Sequence, residues 1–552
     1  MSKSDENVVP LVGKMLRCME NRGPDGAGLV AGGRIIRGIS IDDLQSDLQE
    51  IKAATALGHT RLAIVGGTCG TQPFISCDGR FALEHNGEIY NYKMLRERLE
   101  KRHKFATMTD SEVIVHLLEE HAKTNDLLGS IRRTVEELDG VYAIAVRDER
   151  TGEVALVRDR IGVRQLYFAE TPSYVAFASE RKALWKIGIS GATRRVMPSS
   201  ALIISPSGQP QSFRVMDPIP TDVGVTYTTM DPAMAAYSAA LQESMVKRAG
   251  DLERVGIIFS GGIDSLLIAH LATKIIPEVV CYTCGVQVSN DLTNARSAAE
   301  KLNLKLRVCE LDQEDVEQLI PEIIDVIEDS NAGQIEVALP VYAAVRLAHQ
   351  DGIRVMFTGQ GADELFGGYS WYPKIAEKEG YAKLRDHMVQ DLLMLHKETL
   401  EREDKITMAH SIELREPFLD PGLIRVALGT DLRLNVKDGR DRFGKRVHRE
   451  VAHLLGIPTD LAYRVKEAAQ HGSGMHGTLD AIARKNGFEE TSIPGTYLDA
   501  IKSRERIGSS QRYGYLFVDE KIWTTEPHVQ MYIDGVAEYP VRPILAPTRK
   551  LR

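Results

Sequence analysis

The feature that most restricts how this chain can fold lies in its second half, where apolar strand-like runs alternate with helical segments from about residue 233 onward. The runs "RVGIIFS", "EVVCYTCGV", "KLRVCEL" and "IRVMFTG" are separated by periodic segments such as "EQLIPEIIDVIED" and "LPVYAAVRLAHQDG". That alternation predicts a parallel sheet covered by helices, in which ligands sit beyond the carboxyl ends of the strands. The region after about residue 380 reads as mostly helical.

The first half has a different pattern. Residues 1–215 carry short strand-like runs such as "ATALGHTRLAIV", "RFALEHNGEIYN", "GVYAIAVRDER", "GEVALVRDRIG", "YVAFASE" and "SALIISPSG". Helical segments interrupt them, most clearly "YKMLRERLEKRH" and "DSEVIVHLLEEHAKT", and the sum reads as α+β. Residues 216–232, with prolines and threonines and no amphipathic period, suit a linker, and 233–552 form the second domain. Two domains agree with 552 residues, too many for one core. A net charge of −9 offers no general attraction to nucleic acid or anionic lipid. No apolar run approaches the roughly 20 residues of a membrane helix, and "MSKSDENVVP" has no signal-peptide pattern, so a cytoplasmic protein acting on small molecules is expected. The six cysteines are too few and scattered for a disulfide framework; Cys281 and Cys284 form a CxxC inside an apparent buried strand, which reads as packing.

Chemistry concentrates in "RVGIIFSGGIDSLLIAHLA", residues 254–272. Gly261 and Gly262 permit a tight turn and uncover backbone N–H groups at a helix N-terminus, and Ser260 and Ser265 add hydroxyl donors. Such a turn binds phosphate, yet the Lys-Ser/Thr ending of an ordinary P-loop is absent. Asp264 would repel bare polyphosphate and makes sense if Mg²⁺ bridges it to the phosphate oxygens; the bland alternative is an acid that caps the helix dipole. The "GSGMHG" of residues 472–477 fits GxGxxG by count but follows no strand, and reads as a loop.

"SGGIDS" resembles the pyrophosphatase loop of ATP pyrophosphatases, and "TGQGADELFGGY", residues 358–369, resembles the asparagine synthetase signature. A third match is "YRVKEAAQHGSG", residues 463–474. The first half resembles, in order, the glutamine amidotransferase domain of the same family, through "NRGPDGAG", "GHTRLAIVGG", "HNGEIYNY", "MTDSEVIVHLLEEH", "LVRDRIGVRQLYFA" and "FASERKAL". The resemblance implies an N-terminal-nucleophile-type glutaminase sandwich followed by an α/β ATP-pyrophosphatase domain with a helical C-terminal part. It further implies ATP and Mg²⁺ as cofactors, with Asp264 and Asp363 as metal ligands and catalytic acids. Lys466 would contact the phosphates, and Ile258, Ser260, Gly261, Gly262, Ser265, Thr358 and Gly359 would bind ATP and pyrophosphate. In the first domain Asn86 and Gly87 would form the oxyanion hole, while Arg61 and Asp110 would hold the carboxylate and amino group of glutamine, roles that suit their chemistry.

The implied reaction converts aspartate and MgATP to β-aspartyl-AMP and pyrophosphate, after which ammonia, free or from glutamine, displaces AMP. Gln360 stands where bacterial and animal members commonly have glutamate, and a neutral amide can orient a substrate but cannot take a proton. Another carboxylate activator, such as a β-lactam synthetase-like cyclase, is therefore the main alternative, and a silent metabolite-binding or scaffolding protein is the alternative from another class. No nucleic-acid or membrane partner is expected, and the oligomeric state stays open, a homodimer included. The family nucleophile is an N-terminal cysteine, whereas this chain opens "MSKSDENVVP" and its earliest thiol, Cys18, falls in a helical-looking segment. The expectation is a recorded start downstream of a Cys-initiated strand of roughly six to eight residues, whose omission would leave a sheet edge unpaired; the alternative is use of free ammonia.

Overall fold

A computed structural model of the chain describes residues 1–189, 193–219, 223–465, 469–503 and 526–538. The described residues form two units, Met1–Pro218 and the residues from Ile219 onward. In the first unit the order is α1 (Val9–Cys18), β1 (Ala27–Ala31), β2 (Arg34–Gly38), α2 (Gln45–Glu50), β3 (Ala56–Thr60), β4 (Phe74–Ile75) and β5 (Phe81–Ile89). There follow α3 (Tyr92–Leu99), α4 (Glu112–His121), α5 (Leu127–Glu137), β6 (Gly140–Asp148), β7 (Val154–Arg158), β8 (Tyr167–Glu170), β9 (Val175–Ala178), α6 (Arg181–Lys186), β10 (Arg194–Arg195), β11 (Ser200–Ile204) and β12 (Pro210–Arg214).

Side-chain alternation explains how these strands stack. On β6, Tyr142, Ile144 and Val146 join Val113, Leu117, Ile131 and Val135 of α4 and α5 in one core, while Ala143 and Ala145 turn to the opposite face and meet Val30, Leu57, Phe168 and Val175 of other strands. The six-stranded antiparallel sheet, in order β12-β11-β7-β6-β5-β4, thus carries helices on one face and the three-stranded sheets β2-β1-β3 and β10-β8-β9 on the other. Those smaller sheets are covered in turn by α1, α2 and α6, through Val9, Leu16, Leu48, Ala183 and Leu184. The result is the α+β sandwich expected from the sequence, in four layers. Within it, β3 is an edge strand among the described residues, and β9 meets Met1 on its other side, where the two backbones exchange hydrogen bonds at Val175. Both line a cavity of about 110 Å³ between the layers. At β9 the Met1 amino group donates to the Val175 carbonyl at 2.9 Å, and the Ser2 amide donates to the Ala54 carbonyl at 2.6 Å.

The second unit runs α7 (Met230–Ala249), β13 (Arg254–Ile258), α8 (Ile263–Ala272), β14 (Glu278–Val286), α9 (Asn290–Leu302), β15 (Lys305–Leu311), α10 (Gln313–Ile327), α11 (Ala332–Gln350), β16 (Val355–Phe357) and α12 (Ala362–Phe366). A helical remainder follows: α13 (Tyr372–Glu379), α14 (Tyr381–Glu398), α15 (Leu400–Ala409), the strand β17 (Glu413–Arg415), α16 (Pro421–Leu428), α17 (Arg446–Leu454), α18 (Thr459–Ala462), α19 (Ala469–Gly472), α20 (Met475–Lys485), α21 (Gly495–Ser503) and α22 (Pro527–Glu538). The strands form one sheet in the order β15-β14-β13-β16-β17, and all four pairings are parallel. Such a sheet is buried on both faces, which is why its strands read as continuous apolar runs. Cys281 and Cys284 lie buried in β14, Cys284 in register with Cys309 of β15. The "GSGMHG" stretch corrects one expectation: instead of a loop, it joins two helices, with Gly472 ending α19, Gly474 in left-handed backbone (φ +79°) and Met475 starting α20. No helix among the described residues is long and apolar enough to cross a membrane.

Candidate active site

In the second unit the strand order proceeds outward from β13 through β14 to β15, then returns to the other side of β13 with β16. The loops after β13 and β16 therefore leave the sheet side by side at the point where strand order reverses, the place where open parallel sheets bind ligands. Ile258 ends β13, and Ser260, Gly261 and Gly262 form the turn into α8. Gly261 sits at φ +70°, and a Cβ there would lie 2.7 Å from the backbone of Asn294 and Ala295, so only glycine fits. The hydroxyls brace the turn: the Ser260 amide donates to Ser265 Oγ at 3.3 Å, and Ser265 Oγ donates to the Gly262 carbonyl at 3.2 Å. Thr358 is buried after β16, and Gly359 packs so closely that an added Cβ would approach the Cβ of Asp264 to 2.9 Å. This contact brings the two motif loops together.

Asp264 and Asp363 converge on a single cation that sequence reasoning missed. Lys445 Nζ donates to both oxygens of Asp264 at 2.7 Å and lies 2.7 Å from Asp363 Oδ1. Burial would lower the pKa of this ammonium, but the two carboxylates outweigh it and hold the lysine above its usual value. Its placement is costly and specific: Lys445 has left-handed backbone at φ +50°, directly before α17. Gly368 leaves room for it, since a Cβ at that position would fall 1.8 Å from Asp363 Oδ1 and 2.0 Å from Lys445 Cε. His448 of α17 adds a second brace, with Nε2 3.2 Å from Asp264 Oδ1 and Nδ1 2.7 Å from the Tyr237 hydroxyl of α7. Burial lowers the His448 pKa despite the adjacent acid, so the ring works as a neutral hydrogen-bonding strut. Lys466 lies outside the described residues.

Gln360 gains a meaning from its neighbour. Its side-chain amide donates to Glu403 Oε1 of α15, and Thr358 Oγ1 donates to Glu403 Oε2 at 3.4 Å. Burial raises the Glu403 pKa, although Arg402, 3.6 Å away, opposes it. A carboxyl group thus stands one side chain behind the neutral amide at the loop.

In the first unit the four glutamine-binding candidates come from β3, β5 and the approach to α4. Arg61 follows β3 and is buried; Nη2 donates to the Val65 carbonyl at 3.0 Å, and Nη1 has no hydrogen-bond partner among the described residues. A buried guanidinium with an open donor suits an incoming carboxylate. Burial lowers its pKa against the pull of Asp25 and Asp110, which places Asp110 in its field. Asp110 accepts from the Ile89 amide at 2.9 Å, which ties it to the end of β5. Asn86 and Gly87 lie on that strand opposite Ala143 and Tyr142 of β6. Gly87 has φ +149°, and a Cβ would meet the Val141 carbonyl at 2.0 Å, so the close approach of β5 to β6 here depends on glycine. Cys18 is the last residue of α1, half-buried against the core that holds Tyr167 and Leu184, a packing position.

Comparison with known proteins agrees with this division. Residues 1–215 match the glutamine amidotransferase domain family, and residues 236–383 and 374–534 match the asparagine synthase family. The Methanocaldococcus jannaschii protein named "putative asparagine synthetase (glutamine-hydrolyzing) 1" is 35% identical over 89% of this chain and 95% of its own. Asparagine synthetase (glutamine-hydrolyzing) 2 of Arabidopsis thaliana is 31% identical over 76% of this chain and 72% of its own. Among solved structures, a Bacillus subtilis glutamine phosphoribosylpyrophosphate amidotransferase complexed with ADP and GMP is 24% identical over 51% of this chain and 65% of its own, at a TM-score of 0.34 that is too low to carry an argument.

Proposed function

The chain belongs to the glutamine-hydrolysing asparagine synthetase family, and from that premise we infer that it is an ATP-dependent carbon–nitrogen ligase that makes asparagine from aspartate. The observation that carries the reading at the level of chemistry is the meeting of Asp264 and Asp363 on one buried cation at the switch point of the parallel sheet. The glycine turn at the start of α8 offers backbone N–H groups to the pyrophosphate portion of ATP. Asp264 and Asp363, hard carboxylates in the first turns of α8 and α12, would hold magnesium. When bound, the ion neutralises charge on the leaving pyrophosphate.

The side-chain carboxylate of aspartate attacks the α-phosphorus; the bond to the bridging oxygen breaks and pyrophosphate leaves. Lys445, held by both acids, supplies positive charge beside the departing group, and we assign Lys466 the same task from its motif. Ammonia then attacks the acyl carbon and AMP leaves, which splits a difficult amide synthesis into two easier displacements. In the first unit Arg61 and Asp110 would hold the two charged ends of glutamine's backbone, with Asn86 and Gly87 donating to the oxyanion. The reading is of a cytoplasmic enzyme with small-molecule substrates and no nucleic-acid or membrane partner, in line with a net charge of −9.

The test supplies MgATP with aspartate and ammonium and follows AMP, pyrophosphate and asparagine, then repeats the assay with glutamine. Equal amounts of AMP, pyrophosphate and asparagine are expected with ammonium. Faster adenylation of a different acid would move the assignment to another carboxylate activator, and no pyrophosphate with any acid would end it.

A further inference from the structure

A cluster in the first unit takes no part in the chemistry above. Cys77 lies in the turn between β4 and β5, His103 follows α3, and His116 and Glu119 sit one turn apart on α4. One ligand atom from each of the four lies within 4.8 Å of all the others. The individual separations are 3.1 Å from His103 Nδ1 to Glu119 Oε2, 3.6 Å from His116 Nδ1 to Glu119 Oε2 and 3.8 Å from His116 Nδ1 to Cys77 Sγ. A tetrahedral zinc site with ordinary bond lengths has nitrogen–oxygen edges of about 3.3 Å and nitrogen–sulfur edges of about 3.6 Å. The observed edges match these within a few tenths of an ångström.

The surroundings fit the same chemistry. His103 Nε2 is 2.7 Å from Glu120 Oε1, and His116 Nε2 is 3.7 Å from Glu112 Oε1. The Glu120 carboxylate, in hydrogen-bond range of His103 Nε2, takes the proton of that ring nitrogen and leaves Nδ1 free to ligate, and in both rings the inward nitrogen is Nδ1. The ligands are held in place before any ion arrives. Both histidines are buried, and Phe105 packs edge-on against His116 with ring centroids 4.5 Å apart. Glu119 is fixed by the amides of Cys77 and Asp78, which donate to its two oxygens at 2.9 and 3.1 Å. The other reading of this geometry is a pair of protonated imidazoles bridging carboxylates, and it gives no role to the thiol.

We propose that Cys77, His103, His116 and Glu119 form a closed tetrahedral site for a structural zinc ion. One thiolate, two imidazoles and one carboxylate are a borderline-soft set that suits zinc and leaves no open position for catalysis. The ion would pin the β4–β5 turn to α4, the helix that starts directly after Asp110 and Ser111.

The experiment strips the purified full chain with a chelator and titrates it with cobalt(II), then with zinc. One equivalent of cobalt should give the visible absorption of a tetrahedral ion together with a thiolate-to-cobalt charge-transfer band, and zinc should abolish both. Cys77→Ser, an exposed position whose folding is checked by circular dichroism, should lose the charge-transfer band. Glu120→Gln should keep the band and weaken binding about ten- to a hundredfold. Absence of the band in the parent chain, or its survival in Cys77→Ser, overturns the assignment.

Discussion

The two units prepare for charged ligands in opposite ways. In the second, opposite charges already satisfy one another: Lys445 sits between Asp264 and Asp363, with His448 and Tyr237 behind. In the first, Arg61 is buried with Nη1 unpartnered among the described residues, so the site keeps a donor in reserve for the ligand. The lesson concerns what a mutation exposes. Removing one member of a closed buried network strands the others, whereas removing a waiting donor loses only what the ligand would have gained.

This contrast sets an order of expected effects. Asp264→Asn and Asp363→Asn should each lower AMP and pyrophosphate formation by about 10²- to 10³-fold; each leaves buried Lys445 with one carboxylate partner, so the thermal midpoint should fall while circular dichroism still reports a folded chain. A normal rate in either variant would break the idea of a shared acid pair. Lys445→Met should lower kcat by about a hundredfold, and Lys466→Met should affect kcat more than KM for ATP, as expected for charge matched to the transition state. A pure KM effect would reassign either lysine to ground-state binding. Arg61→Ala should weaken glutamine binding, read by calorimetry, about ten- to a hundredfold, with ammonium-supported turnover unchanged. A fall in that turnover would show that the two sites are not separable in this way.

The last effect concerns stability. Burial pushes the Glu84 carboxyl up to about 8 from 4.5, and Oε1 has no hydrogen-bond partner among the described residues. The folded unit thus holds this proton more tightly than the unfolded chain does, so its contribution to stability is greatest at low pH. That contribution declines as pH rises from about 4.5 and levels off above about 8. Glu84→Gln should match the parent at pH 4 and pull ahead of it by up to about 1.4 kcal/mol per pH unit between about 4.5 and 8, measured by thermal unfolding. Equal pH profiles for parent and variant would place Glu84 in contact with water.

The two acids were legible because each lies in the first turn of a helix that directly follows a glycine-containing turn after a strand, where a local pattern determines a local geometry. Lys445 was not: it reaches Asp264 across 181 positions. In "KDGRDRFGKRVHREVA" it is one of several basic residues, marked only by a preceding glycine. The glutaminase candidates were legible as an ordered set, not one by one, because Arg61 and Asp110 show their complementarity only after β3 and β5 are folded. Gln360 read as a lost carboxylate, and its partner Glu403 sits in the run "EREDK", which at helical spacing looks solvated. All five of those residues are buried because their opposite charges pair within the helix and beyond it, as with Lys405 at 2.7 Å from Glu328 and 2.9 Å from Glu401. Charge patterns along a sequence do not reveal such compensation.

The pairing of β13 with β16, and the reach of Lys445 back to the first turn of α8, also bear on how the second unit assembles. Contacts between segments so far apart in sequence form only after the intervening chain has been brought to order, and loop closure of that length makes them slow. Helices can form early from neighbouring residues, but the acid–lysine–acid cluster requires the first turns of α8 and α12 to have met Lys445. Recovery of pyrophosphate release after dilution from denaturant therefore reads long-range assembly in this unit, and it should lag the return of helical signal.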